Sequence, residues 1–385
     1  MDEPIYIDIG WTGLSKEGEE LCGDNVEIVR TPEAVVAVLA DGLGSGVKAN
    51  ILSKMTAKII ATMFEKGAQL EEIVETVSNT LPVCQKRRIA YSTFTIVQVN
   101  RDGETYIVEF DNPGVIYLHK GQIFGTRTKE IEIYGKKMKE SRFRLVPGDI
   151  LTVVSDGVVH AGIGGVLNLG WQWENVAEYL QREAAVEPSA VSLSRCLSNA
   201  CERLYAGKPG DDATVLVLGV RNLKTLTVAV GPPENRGDDP LLVRMIQEER
   251  GSKVVCGGTT STIVARGLGQ RIEVELEQMD PVIPPRGRIP GIDLVTEGII
   301  TLSKTLEYLK TVHSPEEIPR ADNGATSLAK ALFESDRIRF LVGRAINPAH
   351  QNPNLPINLG LKIQAVNELA EILRRSGKQV EIHYF

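Results

Sequence analysis

The sequence predicts an α+β layered unit over residues 1–221, followed by a separate α/β unit over 222–385. Through the first part, short apolar and β-branched runs are joined by turns too short for a crossover helix, which is the grammar of antiparallel sheet, and amphipathic helical patterns interrupt them. Near residue 222 the grammar changes to strand alternating with helix, which implies a sheet at least partly parallel. At 385 residues, 42% apolar and 24% charged, the chain is long enough for two domains, each with its own core.

The elements follow in order. Ile5–Ile9, Val26–Val29, Val35–Ala40, Thr93–Val99, Thr105–Phe110, Val115–His119, Ile150–Val154 and Thr214–Val220 read as strands. Asn100-Arg101-Asp102-Gly103, Asp111-Asn112-Pro113-Gly114 and Lys120-Gly121 supply turn chemistry between neighbours, so that stretch is an antiparallel meander. From Val47 to Lys66, Ile51, Leu52, Met55, Ile59, Met63 and Phe64 mark one helical face, with Gly67 as the stop. A second helix carries Leu70, Ile73, Val74, Val77 and Leu81, and a further pair spans roughly Glu174 to Ala184 and Ala190 to Tyr205. Beyond a boundary at Arg221 to Lys224, the expected strands are Thr225–Val230, Lys253–Cys256, Arg271–Leu276, Arg339–Val342 and Gln379–Tyr384. The intervening helices are expected around Pro240–Glu249, Thr260–Arg266, Asp293–Leu309, Ala325–Phe333 and Leu359–Arg374. Prolines 281, 284, 285 and 290 mark an extended segment, because proline fixes its own torsion and biases its predecessor away from helix.

Bulk properties exclude several classes. A net charge of -7 argues against a nucleic-acid binder, which needs a basic field. The clusters Lys86-Arg87-Arg88 and Lys136-Lys137-Met138-Lys139 read as solvated runs or as a hold for an acidic or phosphorylated partner. The cysteines, Cys22, Cys84, Cys196, Cys201 and Cys256, are odd in number and lack a Cys-x-x-Cys, which suits neither a disulfide framework nor a zinc site and favours a reducing, cytoplasmic compartment. No basic leader and no apolar run of membrane-spanning length is present, so the expectation is a protein neither exported nor membrane-embedded.

Four acidic motifs carry the chemistry: Gly23-Asp24-Asn25, Asp41-Gly42-Leu43-Gly44-Ser45-Gly46, Ser155-Asp156-Gly157 and Asp211-Asp212-Ala213-Thr214. Each lies against the end of an apolar strand, where an unpaired buried carboxylate is costly or takes up a proton. Oxygen ligands delivered by several strand ends suit Mg²⁺ or Mn²⁺ rather than zinc.

In this order the motifs resemble the metal-dependent protein phosphatase superfamily (protein phosphatase 2C-like), specifically its bacterial stage-II-sporulation-E-like branch, over about residues 5–220. The resemblance implies a β-sandwich flanked by helices, with two Mn²⁺ or Mg²⁺ ions at one edge. It implies that Asp41 bridges both ions, that the Gly42 carbonyl ligates one, and that Asp156 and Asp211 or Asp212 hold the other side. Asp24 would be a direct or water-mediated ligand. The implied reaction is in-line hydrolysis of a phosphoserine or phosphothreonine protein by a water activated between the two ions, with no covalent phosphoenzyme. His119 and His160 are candidates to protonate the leaving alkoxide. Many eukaryotic members place an arginine shortly before the first acidic motif, but none occurs here before Arg30, so Lys16, Lys48, the ions or a partner must recognise phosphate. The extra domain also follows the phosphatase part, whereas sensory modules commonly precede it in this branch.

The second unit resembles no family securely. Its most suggestive segment runs Val254-Val255-Cys256-Gly257-Gly258-Thr259-Thr260-Ser261-Thr262, a strand, a glycine turn and a hydroxyl-rich helix start. Gly257, Gly258, Thr259 and Thr260 would present backbone N–H groups to a phosphate or carboxylate, or simply cap the helix. Asp293–Gly298 and Asn323–Thr326 are candidates for the same cleft, and Cys256 for a low-pKa thiol. Three functions stay open: a cytoplasmic phosphatase with a ligand-sensing or partner-binding second domain, a silent phosphatase-fold scaffold, or a nucleotide- or anion-binding enzyme seated in the second domain.

Overall fold

The computed structural model describes residues 5–31, 33–80, 92–274, 284–312, 315–345 and 357–385. The chain divides into two compact units, Met1–Asn222 and Leu223–Phe385. The first contains strands β1 (Ile5–Leu14), β2 (Asp24–Arg30), β3 (Ala34–Gly42), β4 (Ser92–Asn100), β5 (Glu104–Phe110), β6 (Ile116–His119), β7 (Gln122–Phe124), β8 (Thr128–Ile133), β9 (Lys136–Arg144), β10 (Ile150–Val154) and β11 (Ala213–Asn222). Its helices are α1 (Gly46–Glu65), α2 (Leu70–Thr80), α3 (Asp156–Val159), α4 (Trp173–Val186) and α5 (Ala190–Leu204).

These strands form two antiparallel sheets, ordered β1-β11-β10-β6-β7 and β2-β3-β4-β5-β9-β8. Period-two alternation explains how they stack. Along β3, Ala37 and Leu39 face inward to meet Leu151 and Val153 of β10 and Leu216 and Leu218 of β11. Val36, Val38 and Ala40 point the other way, onto α1 and α2 through Ile60 and Ile73. On the far side, Val154 and Val215 pack under Leu180, Leu193 and Leu197 of α4 and α5. The result is a β-sandwich flanked by helices, the α+β architecture the sequence implied. Each fully buried Leu or Ile contributes about 1.5–3 kcal/mol, so strands covered on both faces read as unbroken apolar runs.

Strands β7, β8 and β9 were not expected from the residue pattern. The Lys136–Lys139 run belongs to β9, where Met138 is buried while Lys137 and Lys139 are exposed, so it is the solvent face of a strand beside a charged edge. The other basic cluster, Lys86-Arg87-Arg88, and Cys84 lie outside the described residues.

The second unit contains β12 (Thr225–Val230), β13 (Ser252–Cys256), β14 (Glu273–Val274), β15 (Gly287–Ile289), β16 (Ile292–Thr296), β17 (Arg337–Val342) and β18 (Gln379–Tyr384). Its α-helices are α6 (Asp239–Glu248), α7 (Gly258–Gly267), α8 (Ile299–Thr311), α9 (Gly324–Glu334) and α10 (Ile357–Arg375). The sheet order is β14-β15-β16-β13-β12-β17-β18, parallel from β16 to β18 and antiparallel at β14 and β15. Helices α6 and α7 cover one face through Leu242, Ile246 and Val264, while α8, α9 and α10 cover the other through Leu302, Leu328 and Val366. One expectation is corrected: Asp293–Thr296 is strand, not helix, because Ile292 and Val295 are buried beside β13 and the helix starts only after Gly298. Among the described residues, no helix is long and apolar enough to cross a membrane.

Candidate metal centre

The strand ends of the first unit bring the four motifs to one edge. Asp24 opens β2 and stands directly opposite Asp41 near the end of β3. The pairing carries on past the strands, with the Gly42 N–H donating to the Gly23 carbonyl at 3.2 Å. From the other sheet, Asp156 begins α3 immediately after β10, and Asp211-Asp212 immediately precede β11. Ser155 fastens those two ends: its N–H donates to the Thr214 carbonyl at 3.0 Å, and its Oγ accepts the Thr214 N–H at 2.8 Å.

The glycines next to Asp24, Asp41 and Asp156 stand where the packing is tight. A side chain at Gly42 would strike the backbone of Ala49 in α1, and one at Gly157 would strike the backbone of Asp212. A Cβ on Gly23 would lie 2.6 Å from Asp212 Oδ2, so these residues let the two sheet ends approach closely.

The electrostatics show a set of carboxylates confined together. Asp24 is 5% exposed and Asp212 3% exposed. Both carboxylate oxygens of Asp24, and Oδ2 of Asp212, are buried without a hydrogen-bond partner. Burial, followed by repulsion from Asp24 and Asp156, pushes the Asp41 carboxyl up to about 9. Burial pushes Asp24 up to about 6; the nearby Ser155 and Thr214 hydroxyls oppose it, and repulsion from Asp212 and Asp156 adds to it. Burial and the neighbouring Asp211 raise Asp156, and the positive field of His160 opposes them. Buried carboxylates that remain charged require a cation. Among the described residues, no three acidic, His or Cys side chains close into a finished cation-coordinating cluster, so the set shares a field rather than a closed coordination sphere.

The two adjacent acids, Asp211 and Asp212, divide the work. Asp212 is the buried one, anchored by the Lys16 backbone N–H on Oδ1 at 3.0 Å, and it acts on Asp24. Asp211 is half-buried, accepts the Asp212 N–H at 3.1 Å, and acts on Asp41 and Asp156. Lys16 therefore enters through its main chain, and Lys48 is exposed in the first turn of α1. Arg30 is engaged at the opposite end of β2, donating to the Ile7 carbonyl at 2.9 Å.

The histidines separate. His119 is held by Asp149 at 2.9 Å, in a network with Tyr117, whereas His160 lies in the field of Asp156. Sequence spacing gave no reason to prefer His160. It also missed Ser155 and Thr214, described above, and Tyr205, which donates to the Gly157 carbonyl at 2.7 Å. Cys22 is a further neighbour, its thiol pushed up to about 12 by burial and Asp24. Only the serine beside Asp156 and the threonine of Asp-Asp-x-Thr carried a signal, as members of the motifs.

In the second unit, Gly257 caps α7 with a φ of +112°, Gly258 and Thr259 are exposed, and Thr260 is fully buried. Asn323 caps its own helix α9. Asp293 accepts the Lys253 N–H at 2.7 Å near the strand starts, away from the Gly257 turn. Cys256 is not the low-pKa thiol expected: complete burial pushes it up to about 12.

Comparison with known proteins agrees with the first unit. Residues 31–221 match the family model described as Stage II sporulation protein E (SpoIIE). No curated protein matches. Among solved structures, the phosphatase domain with a regulatory-domain fragment of SpoIIE from Bacillus subtilis is 18% identical, covering 57% of this chain and 65% of that one, with a TM-score of 0.48. The RsbU and RsbW domains of a Mycobacterium tuberculosis protein are 17% identical, covering 64% and 68%, at 0.45. RsbX in complex with magnesium is 20% identical, covering 57% and 97%, at 0.40. By the family match, with which motif order and sandwich agree, residues 31–221 are a SpoIIE domain.

Proposed function

We propose that the first unit is a divalent-metal-dependent protein-serine/threonine phosphatase acting on phosphoserine or phosphothreonine proteins. The observation that carries this is the orphaned, buried oxygens of Asp24 and Asp212, a donor set that fits hard cations such as Mg²⁺ or Mn²⁺. Two such ions would be held by Asp41, the Gly42 carbonyl, Asp156, Asp211 or Asp212, and Asp24. When bound, they neutralise charge on the phosphoryl group and acidify water at neutral pH. The protein's own part is to hold the carboxylates in place and so crowded that a bound cation is what keeps them charged. Ser155 and Thr214 lock the second sheet's ends, and Gly42 and Gly157 let the elements close. His160 stands beside Asp156, where it can carry a proton toward a departing alkoxide.

The second unit would then be a regulatory, ligand-sensing module. A silent scaffold is disfavoured because a site without chemistry has no reason to retain buried carboxylates that repel one another. The test is hydrolysis of an aryl phosphate by the full chain with Mn²⁺ or Mg²⁺. Turnover abolished by chelation and restored by metal is expected, and protein inert across metals and pH overturns the proposal.

A further inference from the structure

The second unit carries a feature no motif announced. Its five parallel strands, taken in chain order, lie 3-2-1-4-5 across the sheet. The chain leaves β12 toward α6 on one face, and α10, which follows β17, lies on the other. The carboxyl ends of β12 and β17 therefore flank the point where the winding reverses, which in open α/β sheets is a ligand crevice.

Three observations at this edge point to an anion. First, Lys362 of α10 reaches the crevice, where its ammonium donates to the Gly343 carbonyl just past β17 and lies against Gly231 just past β12. Lys362 is half-buried, and among the described residues no carboxylate compensates it; burial alone lowers its pKa. Second, the next turn along the edge, after β13, opens α7 with Gly257 and Gly258. It has no side-chain cap and no acid in its first turn, unlike α9, which Asn323 and Thr326 close in a reciprocal cap. Third, the Thr260 hydroxyl in that first turn is fully buried without a partner and points at the Gly257 turn, 3.4 Å from where a Cβ on that glycine would stand. The two places are stitched together by the Gly231 N–H, which donates to the Cys256 carbonyl at 3.3 Å. They lie about one to two strand spacings apart, roughly 5–10 Å. Of the two other helix starts at this edge, α6 opens with Asp238 and Asp239, which repel anions, and α8 opens at Gly298 directly after Glu297.

We infer that the carboxyl edge of the second unit binds a phosphorylated small molecule, its phosphate seated on the Gly257-Gly258 turn of α7 and countered by Lys362. This rests on the second unit alone and not on the phosphatase activity. Uncapped N–H groups and a dipole end supply the donors, and the lysine supplies the charge that a desolvated phosphate needs.

The test is titration calorimetry on the full chain in EDTA, so that no cation recruits phosphate to the first unit, with inorganic phosphate and adenosine monophosphate as probes. Saturable binding of at least one probe is expected. Lys362→Met should weaken it about tenfold or more, Lys362→Arg should retain it, and Thr260→Val should weaken it about threefold or more at unchanged melting temperature. Tighter binding of adenosine monophosphate than of phosphate would identify a nucleotide as the ligand class. Absence of saturable binding by either probe, or equal affinity in the wild type and a folded Lys362→Met, overturns the inference. Should Lys362→Met fail to fold, unchanged affinity in Thr260→Val overturns it.

Discussion

Asp24 and Asp149 are two aspartates of the same local type with opposite situations. Each follows a glycine and precedes an apolar strand, and each is almost wholly buried. Asp149 accepts from the Tyr117 hydroxyl at 2.8 Å, from the Val146 N–H at 2.9 Å and from the Lys120 N–H at 3.3 Å, and pairs with His119 at 2.9 Å. Neither oxygen of Asp24 has a partner in hydrogen-bonding geometry, and the nearby Ser155 and Thr214 hydroxyls offset its burial only in part. Burial alone therefore does not mark a functional acid. What marks it is burial that the protein leaves uncompensated, because such a group is stable only with an external cation or a bound proton.

The sharpest way to break this contrast is Asp41→Asn. Metal-dependent hydrolysis should fall at least about a hundredfold, since metal-assisted stabilisation of the transition state is worth several kcal/mol. The metal-free protein should melt higher, because one of several mutually repelling carboxylates is gone. Parallel kinetics and melting curves in EDTA check both, and a variant that loses activity while also losing metal-free stability would make Asp41 structural.

Asp149→Ala should do the reverse. It strands a tyrosine hydroxyl and backbone N–H groups, costing about 1–3 kcal/mol or more, while turnover per folded molecule stays unchanged. Circular dichroism melting beside kcat measures the two separately, and a selective loss of kcat would dissolve the distinction.

The smallest effect is a pH slope. Asp24 and Asp41 hold protons in the folded state up to about 6 and about 9, above the ordinary aspartate value of about 3.9. The unfolded chain releases those protons earlier, so in EDTA the contribution of these two groups to stability is full below about pH 3.9 and declines as pH rises through about 6 toward about 9. Saturating Mn²⁺ should flatten or invert the slope, because the cation binds the deprotonated carboxylates. Melting temperatures across this range, with and without metal, decide it, and a metal-free slope of the opposite sign would count against a crowded acidic set.

Legibility in the sequence followed the same division between pattern and partner. Strands β3, β10 and β11 were readable because both faces are buried and the runs are unbroken. Strands β8 and β9 were not, since Lys137, Lys139 and Glu140 break the apolar signal along an edge. Strand β16 was masked by the helix that begins three residues after it. Locally, Gly148-Asp149 and Gly23-Asp24 look alike, and only the order of the four motifs separated them. The distinct roles of Asp211 and Asp212, and the placement of His160 rather than His119 near the acids, depend on contacts between distant segments that no local pattern encodes. Likewise Lys362 stands far from any motif, and its importance arises from where the sheet reverses.

The register that sets Asp24 against Asp41 has an evolutionary consequence. In an antiparallel pair, a slip of one residue turns every side chain to the opposite face. The short hairpin between Arg30 and Ala34 is thus a ruler for the chemistry, and its length is fixed by a task performed at the far end of both strands. Surface turns elsewhere can drift in length across descendants, whereas an insertion here would leave a sheet that still pairs but has mislaid its acid.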